Sequence, residues 1–326
     1  MDVWIDLALL AMLALTALRI IFLKDLFAVV MLFGIYSFLS ALIFVNLDAV
    51  DVAFTEASVG AGISSVLMLG TLAITGRKEK SSSRSPLLAL IVVGITGAAL
   101  IYGTLDMPPF GHPNNPVHEH VAPRYIEESP KEIGLPNMVT SVLASYRGFD
   151  TLGETVVVFS ALIGVLSLLG IRRKEEDTLP KSGLTDHHVL QVVAKFIIPL
   201  VILFALYVQF HGDFGPGGGF QAGVIAAAAF ILYALVYGLP KAFAVVGPKF
   251  LKFMASFGVL LYAGVGITSM FKGGEFLDYN KLVTDPLAGQ HYGIIIIELG
   301  VGITVFAVML SIFYAVSSQA ERANIQ

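Results

Sequence analysis

Residues 292–316 read YGIIIIELGVGITVFAVMLSIFYAV, an apolar stretch in which Glu298 is the one charged residue. An α-helix rises about 1.5 Å per residue, so about 20 apolar residues are enough to cross the hydrocarbon of a bilayer. The stretch therefore predicts a membrane-spanning helix. A carboxylate inside such a helix is costly unless protein or water faces it, which makes Glu298 a candidate functional residue.

The rest of the chain repeats this pattern and predicts an all-α polytopic membrane protein with about nine transmembrane helices. The 326 residues are 56% hydrophobic and 13% charged, whereas soluble domains have about 25% charged residues. A water-soluble enzyme is therefore excluded as the starting interpretation. The predicted helices cover residues 5–23, 26–45, 52–75, 87–105, 152–171, 189–210, 220–238, 251–271 and 292–316.

The basic residues predict the orientation of the chain. Lys and Arg near helix ends are retained on the cytoplasmic side of a membrane. With an odd number of crossings, the basic clusters that begin at Arg77 and Arg172 fall on one side, together with Lys241 and Arg322. This distribution predicts an amino terminus outside the cell and a carboxyl terminus inside it.

Two polar stretches, residues 77–85 and 172–188, interrupt the apolar pattern and are long enough to be former chain ends. They divide the chain into three predicted pieces. No inverted repeat of the kind found in secondary transporters is evident. The pieces are a three-helix unit at residues 1–80, a two-helix unit at 86–176 with a Pro-rich external linker at 106–136, and a four-helix unit at 184–326.

Ionisable residues in or near the predicted spans are candidates for an ion path, because placing a charge in hydrocarbon costs at least ~2.5 kcal/mol. Solvation at headgroup depth is the alternative for Glu56 and Glu154, since Asp51 and Asp150 lie about a turn before them. Lys195 could instead extend its amine back to the membrane surface. The candidates are Asp51, Glu56, Glu154, Lys195 and Glu298.

A glycine-rich stretch at residues 211–223, HGDFGPGGGFQAG, separates two predicted spans. Glycine allows positive φ angles and close backbone approach, so this spacing predicts a tight structural motif. The stretch lacks the Lys-Ser/Thr ending of a phosphate-binding loop, so nucleotide binding is not expected. The predicted motif residues are His211, Asp213, Gly215, Pro216, Gly217, Gly218, Gly219 and Gln221.

No cofactor, metal site or enzymatic activity is predicted for the chain itself. It has no cysteine to ligate an iron–sulfur cluster. The imidazoles of His112, His118 and His120 lie in the Pro-rich linker without helical spacing, which favours a solvated loop over a metal site. The net charge of -4 gives no reason to expect nucleic-acid binding.

The glycine-rich stretch resembles the signature of the B subunit of Mrp-type multisubunit Na+/H+ antiporters, and residues 184–326 resemble that subunit throughout. DVAFTEASVGAG at residues 51–62 is similar to the three-helix piece at the carboxyl end of the large A subunit. YRGFDTLGE at residues 146–154 is similar to the adjoining two-helix piece. Equivalent pieces form separate small subunits in archaeal membrane-bound hydrogenases.

The resemblance implies a membrane subunit of a cation/proton antiporter in the cytoplasmic membrane of a prokaryote. The implied partners are the large antiporter-like subunits, small subunits of the C, E, F and G type, Na+, H+ and lipid. By motif, Glu56 and Glu154 are expected to line a proton or sodium route and to approach each other or a partner helix. A purely structural scaffold in a membrane-bound hydrogenase or sulfur-reductase complex is the alternative, followed by a standalone transporter.

Overall fold

A computed structural model describes residues 3–80, 86–170 and 187–323 of the chain. Within these ranges the fold is helical, and nine helices are long and apolar enough to cross a membrane. They are α1 (Val3–Phe22), α2 (Leu26–Asn46), α3 (Val50–Thr75), α4 (Pro86–Gly103), α5 (Gly148–Leu168), α6 (His188–His211), α7 (Gly219–Tyr237), α8 (Pro248–Phe271) and α9 (Pro286–Ala323).

The number of predicted spans is thus confirmed, but two helices begin four or more residues earlier than hydropathy indicates. α5 begins at Gly148 and α9 at Pro286, because their first turns are helical yet polar and so lie outside the apolar runs. Glu154 consequently lies about 1.7 turns inside α5, and Glu298 lies about 3.3 turns inside α9. The orientation of the termini and the boundaries of the three pieces stay predictions, and most of the two polar linkers falls outside the described residues.

Two π-helical segments, with wider turns than an α-helix, interrupt the regular helices. One occupies the middle of α3 at Ala57–Ser64, directly after Glu56. The other, Ser141–Tyr146, continues the short helix Met138–Thr140 just before α5. Neither segment is recognisable from the apolar pattern, because a π-turn changes the period only locally.

The core lies around α9, which packs against α3, α5, α7 and α8. Its residues Ile294, Ile297 and Val305 are completely buried. Small residues let the α7 backbone approach it closely: a Cβ added to Gly223 would lie 2.6 Å from the carbonyl oxygen of Gly302. By contrast, α4 buries none of its residues against the rest of the described chain.

One end of the bundle carries the connections at residues 104–147, 212–218 and 272–285, and we call this end the loop side. The first of these connections contacts the other two there. The backbone N–H of Asn137 donates to the carbonyl of Asp213 at 3.1 Å, and the hydroxyl of Tyr279 donates to the carbonyl of Ala144 at 2.9 Å. The loop side is therefore a packed surface that can position buried polar groups.

Candidate functional site

A cavity of about 510 Å³ lies between α3, α5, α7 and α9 near the loop side, and we call it the large cavity because it is the larger of the two cavities that Glu298 lines. Its wall includes Asp51 of α3, Glu154 of α5 and Glu298 of α9. Much of the remaining wall is apolar, with hydroxyl groups from residues such as Thr55 and Thr155. The fold thus brings three of the predicted ion-path residues to one space.

The glycine-rich loop, residues 212–218, and the start of α7 supply hydrogen-bond donors to two of these carboxylates. The N–H of Gly217 donates to Oδ1 of Asp51 at 3.0 Å. The N–H of Gly219 donates to Oε2 of Glu298 at 2.8 Å. The amide Nε2 of Gln221 donates to the backbone carbonyl of Asp51 at 3.4 Å. The predicted motif therefore holds the acidic residues as well as shaping the turn.

The carboxylate of Glu298, a residue of α9, lies at the amino-terminal end of α7. Unpaired N–H groups and the helix dipole favour a negative group at that position. This approach requires glycine at two positions. Gly218 has φ of 124°, a conformation that residues with a Cβ rarely adopt, and an added Cβ would lie 2.7 Å from Oε2 of Glu298. A Cβ on Gly219 would overlap the backbone oxygen of Glu298.

Asn137 holds the glycine-rich loop from outside the cavity. Its side-chain Nδ2 donates to the carbonyls of Gly212 and Gly215, both at 2.9 Å, and its Oδ1 accepts from the N–H of Val139 at 3.0 Å. Thr140 adds a third bond, from its hydroxyl to the Gly212 carbonyl at 2.6 Å. Asn137 was not among the predicted site residues, although an Asn directly before a helix is a capping signal.

Replacing Asn137 with Ala is expected to weaken the loop by about 1–3 kcal/mol, since the Gly215 carbonyl loses its side-chain donor and the Gly212 carbonyl keeps only the hydroxyl of Thr140. The melting temperature of the detergent-solubilised complex should fall. The matched change at the exposed Asn114 should leave it unchanged. Equal melting temperatures for the two variants would contradict the assigned role of Asn137.

Asp213 forms a second polar contact on the loop side. Asp213 is the only acidic residue among those described that is buried, with 7% of the whole residue exposed. Its Oδ2 lies 3.0 Å from Nδ1 of His291. Burial raises the pKa of Asp213 above its ordinary value, and the charge of His291 opposes this. His291 was not predicted, although it lies seven residues before Glu298 and so shares its helix face.

Other predicted residues lie away from the large cavity. Glu56 is half-buried and is not in the cavity wall; its Oε1 lies over Gly60, close to Ser37 of α2. Lys195 is exposed on α6. The ring of His211 stacks on Tyr207, with centroids 4.9 Å apart, rather than facing the carboxylates.

The environment of the remaining motif and linker residues is simple. Pro216 is exposed and Gly215 packs beside the ring of His211. The three linker histidines, His112, His118 and His120, are exposed. Among the described residues no cluster of three or more His, Cys, Asp or Glu side chains is arranged to hold a metal ion.

Three family models match the chain in succession. Residues 11–77 match MbhD, the D subunit of MBH, and residues 83–183 match MbhE, the E subunit of MBH. Residues 189–311 match the domain related to the MnhB subunit of Na+/H+ antiporters.

Two relatives cover complementary parts of this arrangement. A Rhizobium meliloti (strain 1021) protein, named as the probable A/B subunit of a K+/H+ antiporter, is 25% identical over 330 residues, which cover 91% of this chain and 32% of the relative. This chain therefore spans about a third of that relative's length. A Staphylococcus haemolyticus (strain JCSC1435) protein, named as the putative antiporter subunit mnhB2, is 33% identical over 132 residues, covering 40% of this chain and 93% of the relative.

Two solved structures share the fold. A chain of the Mrp complex from Dietzia sp. DQ12-45-1b superposes with a TM-score of 0.74 at 25% identity, covering 96% of this chain and 34% of that one. A chain of the archaeal membrane-bound sulfane sulfur reductase superposes with a TM-score of 0.54 at 28% identity, covering 70% of this chain and 96% of that one. The chain belongs to the family of Mrp- and MBH-type complex membrane subunits, a family of transporter subunits rather than of catalytic enzymes, and it carries MbhD, MbhE and MnhB domains.

Proposed function

We propose that the chain is a membrane subunit of a multisubunit cation/proton antiporter and that carboxylates around the large cavity form part of a proton or sodium route. One observation carries this proposal: Asp51, Glu154 and Glu298 come from α3, α5 and α9 and face one space. These helices belong to the three different predicted pieces. The family-model matches at residues 11–77, 83–183 and 189–311 support that division.

The geometry supports conduction over simple packing. A carboxylate that only fixes helix register needs a closed set of hydrogen bonds. Glu154 is exposed at the edge of the cavity, and none of the described residues donates a hydrogen bond to it. A cavity of about 510 Å³ has room for water or a hydrated cation beside it. Such a carboxylate is free to exchange a proton or bind Na+.

Partner subunits complete the proposed route. The proposed partners are large antiporter-like subunits and small subunits of the C, E, F and G type. Close contact with other membrane subunits is supported by the exposure of Glu154 and Lys195. It is also supported by α4, which buries none of its residues against the rest of the described chain. Glu56 and Lys195 lie outside the large cavity, so we propose that any part they play in transport passes through a neighbouring subunit.

The predicted orientation places the loop side outside the cytoplasmic membrane of a prokaryote. The excess of Lys and Arg in the connections at the other end supports this placement. An ion pair lies at that end, where Nη2 of Arg77 is 2.9 Å from Oδ2 of Asp25. In this orientation the glycine-rich loop and the large cavity face the outer half of the membrane.

Replacing Glu154 with Gln in the reconstituted complex is expected to reduce coupled exchange by about tenfold or more, because the amide cannot carry a proton. Ion-selective dyes in liposomes measure the exchange, and size-exclusion chromatography checks assembly. Glu127→Gln, at an exposed linker position, is the matched control. Wild-type exchange in an assembled Glu154→Gln complex would remove Glu154 from the route.

A scaffold in a hydrogenase or sulfur-reductase complex is the second candidate function. The similarity to a chain of the sulfane sulfur reductase supports it, since 96% of that chain is covered. In a scaffold, the cavity carboxylates fix helix positions and their charge is dispensable. Normal exchange with both Glu154→Gln and Glu298→Gln would favour this candidate, because each amide preserves the size of the side chain.

A further inference from the structure

Glu298 lies in the walls of two cavities. One is the large cavity, and the other is a small cavity of about 220 Å³. The wall of the small cavity includes the polar side chains of Gln209, Asp213 and His291. Glu298 is the one residue that the two walls share, so its carboxylate is placed to exchange a proton with either space.

The small cavity connects the molecular surface to this carboxylate through one ion pair. The side chain of His291 is 41% exposed, whereas the side chain of Asp213 is 9% exposed, and their atoms Nδ1 and Oδ2 are 3.0 Å apart. The pair thus runs from solvent on the loop side to the interior. Within the described part of the chain no Lys or Arg lines either cavity, so His291 is the one basic side chain in the two walls.

The chemistry of this cavity suits a proton better than a metal cation. Imidazole and carboxylate groups both exchange protons with water near neutral pH when their surroundings favour it. The acidic and imidazole groups of the described residues do not converge as a metal site does. The volume of about 220 Å³ leaves room for water between these side chains.

We propose that His291, Asp213 and Glu298 form a second, proton-selective branch that joins the loop-side solvent to the large cavity. This proposal rests on the proposed function of the large cavity. Protonated His291 gives its Nδ1 proton to Asp213 and keeps its Nε2 proton. Asp213 passes the proton it received through cavity water to Glu298, and the neutral imidazole takes a new proton at Nδ1 from loop-side solvent, which restores its starting form. One proton enters and one leaves, with no oxidation or reduction.

Other titratable groups that face the branch all lie on its inner side. Asp51 of α3 and Glu154 of α5 share the large cavity with Glu298. The hydroxyl of Tyr262 of α8 interacts electrostatically with Glu298 and Glu154. Asp213 faces His291 of α9. Asn137 contacts the backbone of Asp213 but has no titratable group. Proton uptake from the loop side therefore depends on His291 and Asp213.

Proton movement in liposomes containing the assembled complex tests this branch. His291→Gln and Asp213→Asn are each expected to slow it by about tenfold or more. The double variant should be no slower than either single variant, because both residues serve one path. The matched controls are His118→Gln and Asp106→Asn, both at exposed positions on the loop side.

The pH profile gives a second readout that a purely structural role would not change. His291 lowers the pKa of Asp213 against the effect of burial. Its removal should let Asp213 keep its proton to higher pH, so the half-maximal pH of any remaining transport should rise. The sign follows because loss of the nearby positive charge disfavours the carboxylate form.

The outcomes separate this branch from the proposed function. If Glu154→Gln blocks exchange while His291→Gln and Asp213→Asn retain the wild-type rate and pH profile, the branch is wrong and the large cavity still conducts. If Glu154→Gln and Glu298→Gln have no effect, the function itself fails and the branch with it. If Asp213→Asn does not assemble, His291→Gln decides, because its partly exposed ring can be replaced without opening the core.

Discussion

Replacing Glu298 with Gln is expected to slow cation/proton exchange by about 100-fold or more while leaving the complex assembled. Glu298 lines both cavities, so loss of its proton-carrying group affects any path through either one. The amide oxygen of Gln can still accept the N–H of Gly219, so the contact between α9 and α7 is retained. Exchange assays in liposomes measure the effect.

The matched control for this prediction is Glu119→Gln, at an exposed position in the linker. A capping role alone predicts a small effect, since a negative group at a helix amino terminus contributes about 0.3–1 kcal/mol at the surface. A Glu298→Gln complex that assembles and exchanges at the wild-type rate would show that Glu298 only holds α7 in place.

Replacing Gly219 with Ala is expected to prevent normal assembly of the subunit. The added Cβ overlaps the backbone oxygen of Glu298 and lies 2.9 Å from the backbone nitrogen of Gly302. Backbone atoms of a buried helix cannot rotate away, so α7 and α9 must separate. Overpacking of this kind costs about 1–3 kcal/mol or more. The yield of the complex in membranes and its melting temperature should both fall.

Gly264→Ala is the matched control, because a Cβ at that position meets no atom within 4 Å. It changes the same residue type within the neighbouring helix α8. A normal yield and melting temperature for Gly219→Ala would mean that α7 and α9 are not held as closely as their backbones lie here.

The membrane-spanning architecture is visible in the sequence because it depends on local properties. A run of about 20 apolar residues specifies a span wherever its partners lie. The early starts of α5 and α9 were not predicted, because hydropathy does not register polar helical turns. The burial of Thr140 and Ser141 is not visible in the apolar pattern either, because both residues are polar.

The sequence by itself determined that the chain spans a membrane and that a carboxylate such as Glu298 needed compensation, since a charge within an apolar run is recognisable from its neighbours alone. Only the tertiary structure decided which groups compensate the acidic residues. The Gly219–Glu298 bond joins residues 79 positions apart, and the Gly217–Asp51 bond joins residues 166 apart. Such pairings depend on how α3, α7 and α9 pack against one another. That packing cannot be deduced from the spacing of residues along one helix.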